Sequence, residues 1–111
     1  MKMIRCTLHP YQLDEVVDAL DAFDLANLTV IGAGERCRKP MTGAFRGSAY
    51  KIRFLPASIL DITAPDDQVD GIVDTITTIC SREPHDHENR IFVTPVNEWY
   101  TVTARRPRRI A

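Results

Sequence analysis

Two nine-residue runs, QLDEVVDAL at Gln12–Leu20 and QVDGIVDTI at Gln68–Ile76, decide how this chain is read. They share the glutamine, both aspartates and a valine at matching offsets, with conservative apolar exchanges at several of the remaining positions. In the first, Leu13, Val16, Val17 and Leu20 recur at steps of three and four residues; in the second, Val69, Ile72, Val73 and Ile76 do the same. That is the period of a helix with one apolar face. The pattern predicts helices over roughly Tyr11–Phe23 and from Pro65–Asp66 to about Cys80, and their likeness marks an internal duplication.

Working outward, Ile4, Cys6 and Leu8 alternate with Arg5, Thr7 and His9, the period of two expected of a half-buried strand, which Pro10 ends. Asn27–Ile31 resumes strand character up to Gly32-Ala33-Gly34, Tyr50–Phe54 and Ile59–Thr63 alternate, and Arg90–Val96 supplies a further strand. Two strand-helix-strand copies in so short a chain predict an α+β fold, a ferredoxin-like βαββαβ sandwich forming a single domain over residues 1–111. Both helices lie on one face of its sheet. On the other face Arg5, Thr7, His9, Asp61 and Thr63 point outward, and self-association that covers them is expected.

The charged and apolar fractions, 26% and 44%, are those of an ordinary soluble domain, and no apolar run approaches the roughly 18 residues of a membrane span. The N-terminus lacks the apolar stretch of a signal peptide, so the cytoplasm is the expected location. Three cysteines, Cys6, Cys37 and Cys80, form no C-x-x-C pair; Cys6 and Cys80 fall on apolar faces, whereas Cys37 lies between Arg36 and Arg38. The net charge of −1 conceals local fields. Asp14, Glu15, Asp18 and Asp21 make the first helix acidic, while Arg36, Arg38, Lys39, Arg46, Lys51 and Arg53 face a single acid, Glu35, in the middle of the chain. That middle segment reads as a flexible basic loop at about residues 35–50 between strands 2 and 3. Arg105, Arg106, Arg108 and Arg109 form a basic tail at about 104–111.

SREPHDHEN, Ser81–Asn89, offers four donors in a row, but successive side chains diverge, so only His85 and His87 can share one ion. The segment reads as a solvated turn, or as a turn touching a ligand through His87 or Arg90, and no metal site is assigned. No H-E-x-x-H, P-loop or nucleophile-base pattern occurs, so an enzyme is not expected.

MKMI at Met1, the P-x-x-LDEV-x-x-AL run from Pro10, LTV at Leu28, FRGSAY at Phe45, FLP at Phe54, the D-x-V-D-x-I-V-D-x-I run from Asp67 and RIFV-x-PV at Arg90 together resemble the PII signal-transduction family. The resemblance covers nearly the whole chain. It implies a trimer that binds an adenine nucleotide in clefts between subunits and touches partner proteins with its long loop. Thr29, Arg38, Asp61 and Thr63 match family positions around the nucleotide, Arg90 matches a lysine that contacts phosphates, and His87 falls in the phosphate turn. Arg36, Arg46, Gly47, Ser48 and Tyr50 belong to the partner-binding loop, where a tyrosine or serine is modified in some members.

The departures narrow this. The phosphate turn holds no glycine, Thr101-Val102-Thr103 stands where the family has two arginines, Lys39 replaces a magnesium-orienting glutamine and Ala57 a lysine. This is similar to PII-like branches that favour ADP or AMP over ATP and bind small anions such as bicarbonate, among them those linked to carboxysomes and bicarbonate transport. The regulated partner is then a transporter or an enzyme, with any membrane contact made through that partner. The alternative is a protein-interaction or RNA-binding module that has lost nucleotide binding; RRPRR at Arg105 favours RNA, but the sheet lacks an aromatic pair on which bases stack.

Overall fold

The structure is a computed structural model and describes residues 1–82, 89–102 and 107–109. The elements follow in the order β1 (Lys2–Leu8), α1 (Leu13–Leu20), β2 (Asn27–Phe45), β3 (Ser48–Ala64), α2 (Val69–Cys80), β4 (Ile91–Pro95), β5 (Tyr100–Val102) and β6 (Pro107–Arg109). Four strands form one antiparallel sheet in the order β2-β3-β1-β4. Both predicted helices are present, and the alternating segments pair as the βαββαβ pattern requires.

The duplication extends beyond the sequence likeness. A single 3-10 turn precedes each helix, Pro10–Gln12 before α1 and Asp66–Gln68 before α2. The matching glutamines have diverged in use: Gln12 Oε1 accepts the His9 amide at 3.2 Å, whereas Gln68 Oε1 accepts the Asp24 amide at 3.3 Å and ties the chain after α1 to the start of α2. Ile4, Cys6 and Leu8 from β1, Leu60, Ile62 and Ala64 from β3, Val16 and Leu20 from α1, and Ile72, Ile76, Ile79 and Cys80 from α2 form one buried cluster. Each large aliphatic side chain withdrawn here contributes about 1.5–3 kcal/mol against the unfolded chain. The even-numbered positions of β1 and β3 supply the cluster, which fixes the odd-numbered ones on the opposite face.

The segment expected as a loop pairs instead as a two-stranded ribbon. β2 runs 19 residues and β3 17, and outside the sheet their pairing continues through Met41↔Ile52, Thr42↔Lys51, Gly43↔Tyr50 and Ala44↔Ala49 to Phe45↔Ser48. Only Arg46 and Gly47 remain as the turn, with φ of 52° and 80°. Left-handed backbone at both central positions is the hairpin turn whose twist suits paired strands, and glycine takes the second place without strain. The Tyr50–Phe54 and Ile59–Thr63 alternations are therefore one strand. Pro56 is tolerated inside it because pairing to β1 stops at Ser58↔Leu8, so its missing N–H leaves no partner from β1 unmet. The register shifts between Arg36 and Met41, a bulge that holds Cys37 and Arg38.

Within the basic tail, Pro107–Arg109 pairs antiparallel with Tyr100–Val102 in a separate two-stranded sheet. His85, His87 and the rest of Glu83–Glu88, with Arg105 and Arg106, lie outside the described residues.

Candidate functional site

The face of the sheet turned away from the helices carries two rows of side chains that cross all four strands. Register places Thr29 beside Asp61, Asp61 beside Arg5, and Arg5 beside Phe92. Two residues along, Asn27, Thr63, Met3 and Thr94 form the parallel row. Arg5 donates from Nε to Asp61 Oδ1 at 2.6 Å and from Nη2 to Oδ2 at 2.7 Å, a planar fork that occupies both carboxylate oxygens. The hydrogen bond to Arg5 holds the Asp61 carboxyl below its ordinary range, and the same contact raises the guanidinium. Asn27 Nδ2 donates to Thr29 Oγ1 at 3.2 Å. Around these polar groups Met3, Ile31 and Phe92 are exposed at 38%, 41% and 60%.

Three of the expected ligand residues, Thr29, Asp61 and Thr63, are thus neighbours on one surface. Arg90 is exposed just ahead of β4, at the end of the sheet away from Thr63. Arg38 has its backbone in β2, and its side chain, like the whole of His87, lies outside the described residues. Within one chain these groups line a surface rather than a cavity. Ala57, standing where the family lysine would be, is buried at 5% exposure opposite Ala33 and supplies no charge. Arg36, Arg46, Gly47, Ser48 and Tyr50 all lie on the ribbon, with the Tyr50 ring laid across Gly43 on the facing strand.

Arg5 was not among the expected ligand residues. Alternation in β1 puts it on the bare face, but only the strand register shows that it meets Asp61. On the helix layer, clefts of about 140 and 310 Å³ flank Arg82, the first lined by Tyr11, Gln12 and Glu15 and the second by Asp74, Thr75 and Thr78. The Arg82 guanidinium pairs with Glu15. Both clefts lie on the opposite side of the sheet from the two rows. Among the described residues no three of His, Cys, Asp and Glu come together as a metal site, and no helix is long and apolar enough to cross a membrane.

The profile of the nitrogen regulatory protein P-II family matches residues 1–106. The chain belongs to this family. It is 34% identical over 99 residues to a nitrogen regulatory protein P-II of Cereibacter sphaeroides, covering 88% of each chain. It is 33% identical to one of Nostoc punctiforme, also over 88% of each, and 39% identical over 77 residues to nitrogen regulatory protein P-II 1 of Escherichia coli, covering 68% and 69%. A crystal structure of a DUF3240 family protein from Shewanella baltica superposes with a TM-score of 0.69 over 92% of this chain and 96% of that one, at 14% identity, and so shares the fold. P-II proteins are regulators, generally trimeric, that bind adenine nucleotides and interact with partner proteins. The bare face and the ribbon are parts of this member that its own core does not use.

Proposed function

We propose that this P-II protein is a homotrimeric cytoplasmic regulator that binds an adenine nucleotide, ADP or AMP in preference to ATP, in clefts between subunits. The carrying observation is the pair of rows on the bare face, where exposed Met3, Ile31 and Phe92 surround a charge-neutral Arg5–Asp61 fork. Apolar surface of this kind gains by burial, and the fork brings no net charge into the interface. Covering the face with other copies brings Thr29, Asp61 and Thr63 to a seam between chains, with Arg90, Arg38 and His87 as the further ligand groups. Arg90 offers a phosphate two parallel donors.

The preference for fewer phosphates follows from what the chain lacks. A glycine-free Ser81–Asn89 turn gives backbone amides less room to approach a phosphate chain, and Thr101-Val102-Thr103 removes two cations. A small anion such as bicarbonate fits beside the arginines. Occupancy of the cleft biases the conformation of the ribbon, where Arg36, Arg46, Gly47, Ser48 and Tyr50 meet a regulated transporter or enzyme. A ligand that binds one ribbon state better shifts partner affinity by that difference.

The test is calorimetry with ATP, ADP and AMP, each with and without bicarbonate, on protein whose mass in solution is measured by light scattering. A trimer that binds ADP or AMP more tightly than ATP, and loses at least about tenfold in affinity on Arg90→Ala, supports the proposal. A stable monomer, or Arg90→Ala with full affinity, refutes it.

A further inference from the structure

The ribbon has two chemically different faces. Register puts Tyr50, Ile52 and Phe54 on one side, where Tyr50 lies over Gly43, and Lys51 and Arg53 on the other with Thr42 and Ala44. Tyr50 and Phe54 are 49% and 60% exposed, Ile52 is half-buried, Lys51 and Arg53 are exposed, and so is Arg36, which register sets beside Phe54. A soluble hairpin with nothing to meet would not hold an aromatic-aliphatic stripe in water beside its cations. The arm also stands apart in charge. Six of the chain's 14 cations lie between Arg36 and Arg53 with no acid among them, while α1 and α2 carry exposed Asp14, Glu15, Asp18, Asp70 and Asp74.

We infer that the ribbon is a contact element for an anionic lipid surface. Aromatic rings with cations on the same narrow strand pair suit the boundary between headgroups and acyl chains, where the rings enter and the long cationic side chains reach phosphates. Between the pairs Arg36↔Phe54 and Phe45↔Ser48 the arm spans about 20 Å at the ordinary strand rise, the extra residues of β2 being taken up by the bulge. That is more than two Debye lengths of about 8 Å at physiological salt, so the arm engages a negative surface while the acidic helix layer stays outside most of its field. The unpaired outer edges of the ribbon do not oppose this, because headgroup depth still offers water and phosphate oxygens to backbone amides. A nucleic-acid duplex would use the cations but not the apolar stripe.

The inference rests on the reading of the ribbon as the contact element but adds to its protein partner a direct lipid contact, and in a trimer three arms on one surface would add avidity. It is tested by sedimentation with vesicles of phosphatidylcholine containing 30–40% phosphatidylglycerol, against pure phosphatidylcholine and against a DNA duplex, at low and at about 0.5 M salt. The expected result is binding to the anionic vesicles that falls with salt, falls about tenfold or more in Lys51→Glu/Arg53→Glu, and falls several-fold in Phe54→Ser. Circular dichroism confirms that both variants fold, and unchanged nucleotide calorimetry separates this result from failure of the cleft proposal. No anionic-vesicle binding at low salt overturns the inference. So does equal binding to both vesicle types, or binding to DNA and vesicles alike with Phe54→Ser inert, which would show a general polyanion patch.

Discussion

Gly71 in α2 occupies the place that Glu15 holds in α1, and replacing it with alanine sets two effects against each other. Helix propensity favours alanine over an interior glycine by about 0.8–1.0 kcal/mol. Packing opposes it, because a Cβ on Gly71 would stand 2.7 Å from Phe23 Cε1 and 3.3 Å from Cζ. The ring packs against the core cluster just beyond α1, and the Phe23 amide is tied to Leu20 O at 3.1 Å, so it can yield only by swinging outward and giving up its contact with α2. Overpacking of this kind costs about 1–3 kcal/mol, so the packing side wins and Gly71→Ala destabilises by about 0.5–2 kcal/mol. Urea denaturation at fixed protein concentration, without nucleotide, reads the difference. The same substitution made on a Phe23→Ala background meets no ring and should stabilise by about 0.5–1 kcal/mol, which leaves a coupling of about 1–3 kcal/mol between the two sites. A higher midpoint for Gly71→Ala alone, or additive effects of the two changes, would refute the close approach of α1 and α2 at this point.

Arg5→Ala should dissociate the proposed trimer, because it strands the Asp61 carboxylate on the face to be covered; light scattering that still reports a full trimer at micromolar protein contradicts this. The Arg5 contact depresses the Asp61 carboxyl, so its contribution is complete above the ordinary aspartate value of about 4 and is lost as pH falls through the lower folded value; assembly that weakens instead between pH 6 and 8 would point to another group. Gly43→Ala places a Cβ 2.6 Å from Tyr50 Cζ and should lift the ring off the ribbon, seen as faster hydrogen exchange of the amides from Thr42 to Lys51; unchanged protection would show that the ring does not hold the ribbon closed. Burial pushes the Cys6 thiol up to about 12, with Cys80 and Asp61 adding to it, and burial also raises Cys80, so at pH 8 a thiol reagent should modify only half-buried Cys37 in the native protein and all three cysteines in denaturant. Rapid native modification of Cys6 or Cys80 would contradict the core packing.

The helices and the sheet were legible because their periods differ and each was written twice. Leu13, Val16, Val17 and Leu20 fit only a helix, and Val69, Ile72, Val73 and Ile76 repeat the statement. The ribbon was not, and the reason is physical. Glycine, proline and serine between Gly32 and Pro56 lower the strand signal residue by residue, whereas pairing over that length depends on a turn at Arg46-Gly47 and on cross-strand contacts such as Tyr50 over Gly43. Thr29, Asp61 and Thr63 were found through family likeness and do lie side by side. Arg5 was missed as a member of that group because register is a property of two strands, and no single strand contains it.

Charge in this molecule is sorted by where it would lie in an assembly. On the face proposed to meet other copies, the charged members of the two rows are Arg5 and Asp61, and they cancel within 2.7 Å. Any net charge there would be repeated in every copy and brought together in a low-dielectric seam, where repulsion grows with each pair of subunits. The carboxylates of α1 and α2 stand exposed on the far side of the sheet, where water screens them. The cations of the ribbon are carried farther still, along a molecule 57 Å in its longest dimension. A net charge of −1 therefore describes no region of the protein. In the proposed trimer a neutral face would permit self-association, an acidic outer layer would discourage stacking of one assembly on another, and a basic arm would select what the assembly approaches. The same segregation explains why composition alone excluded so little: the balance of 14 cations against 15 acids averages over regions of opposite sign.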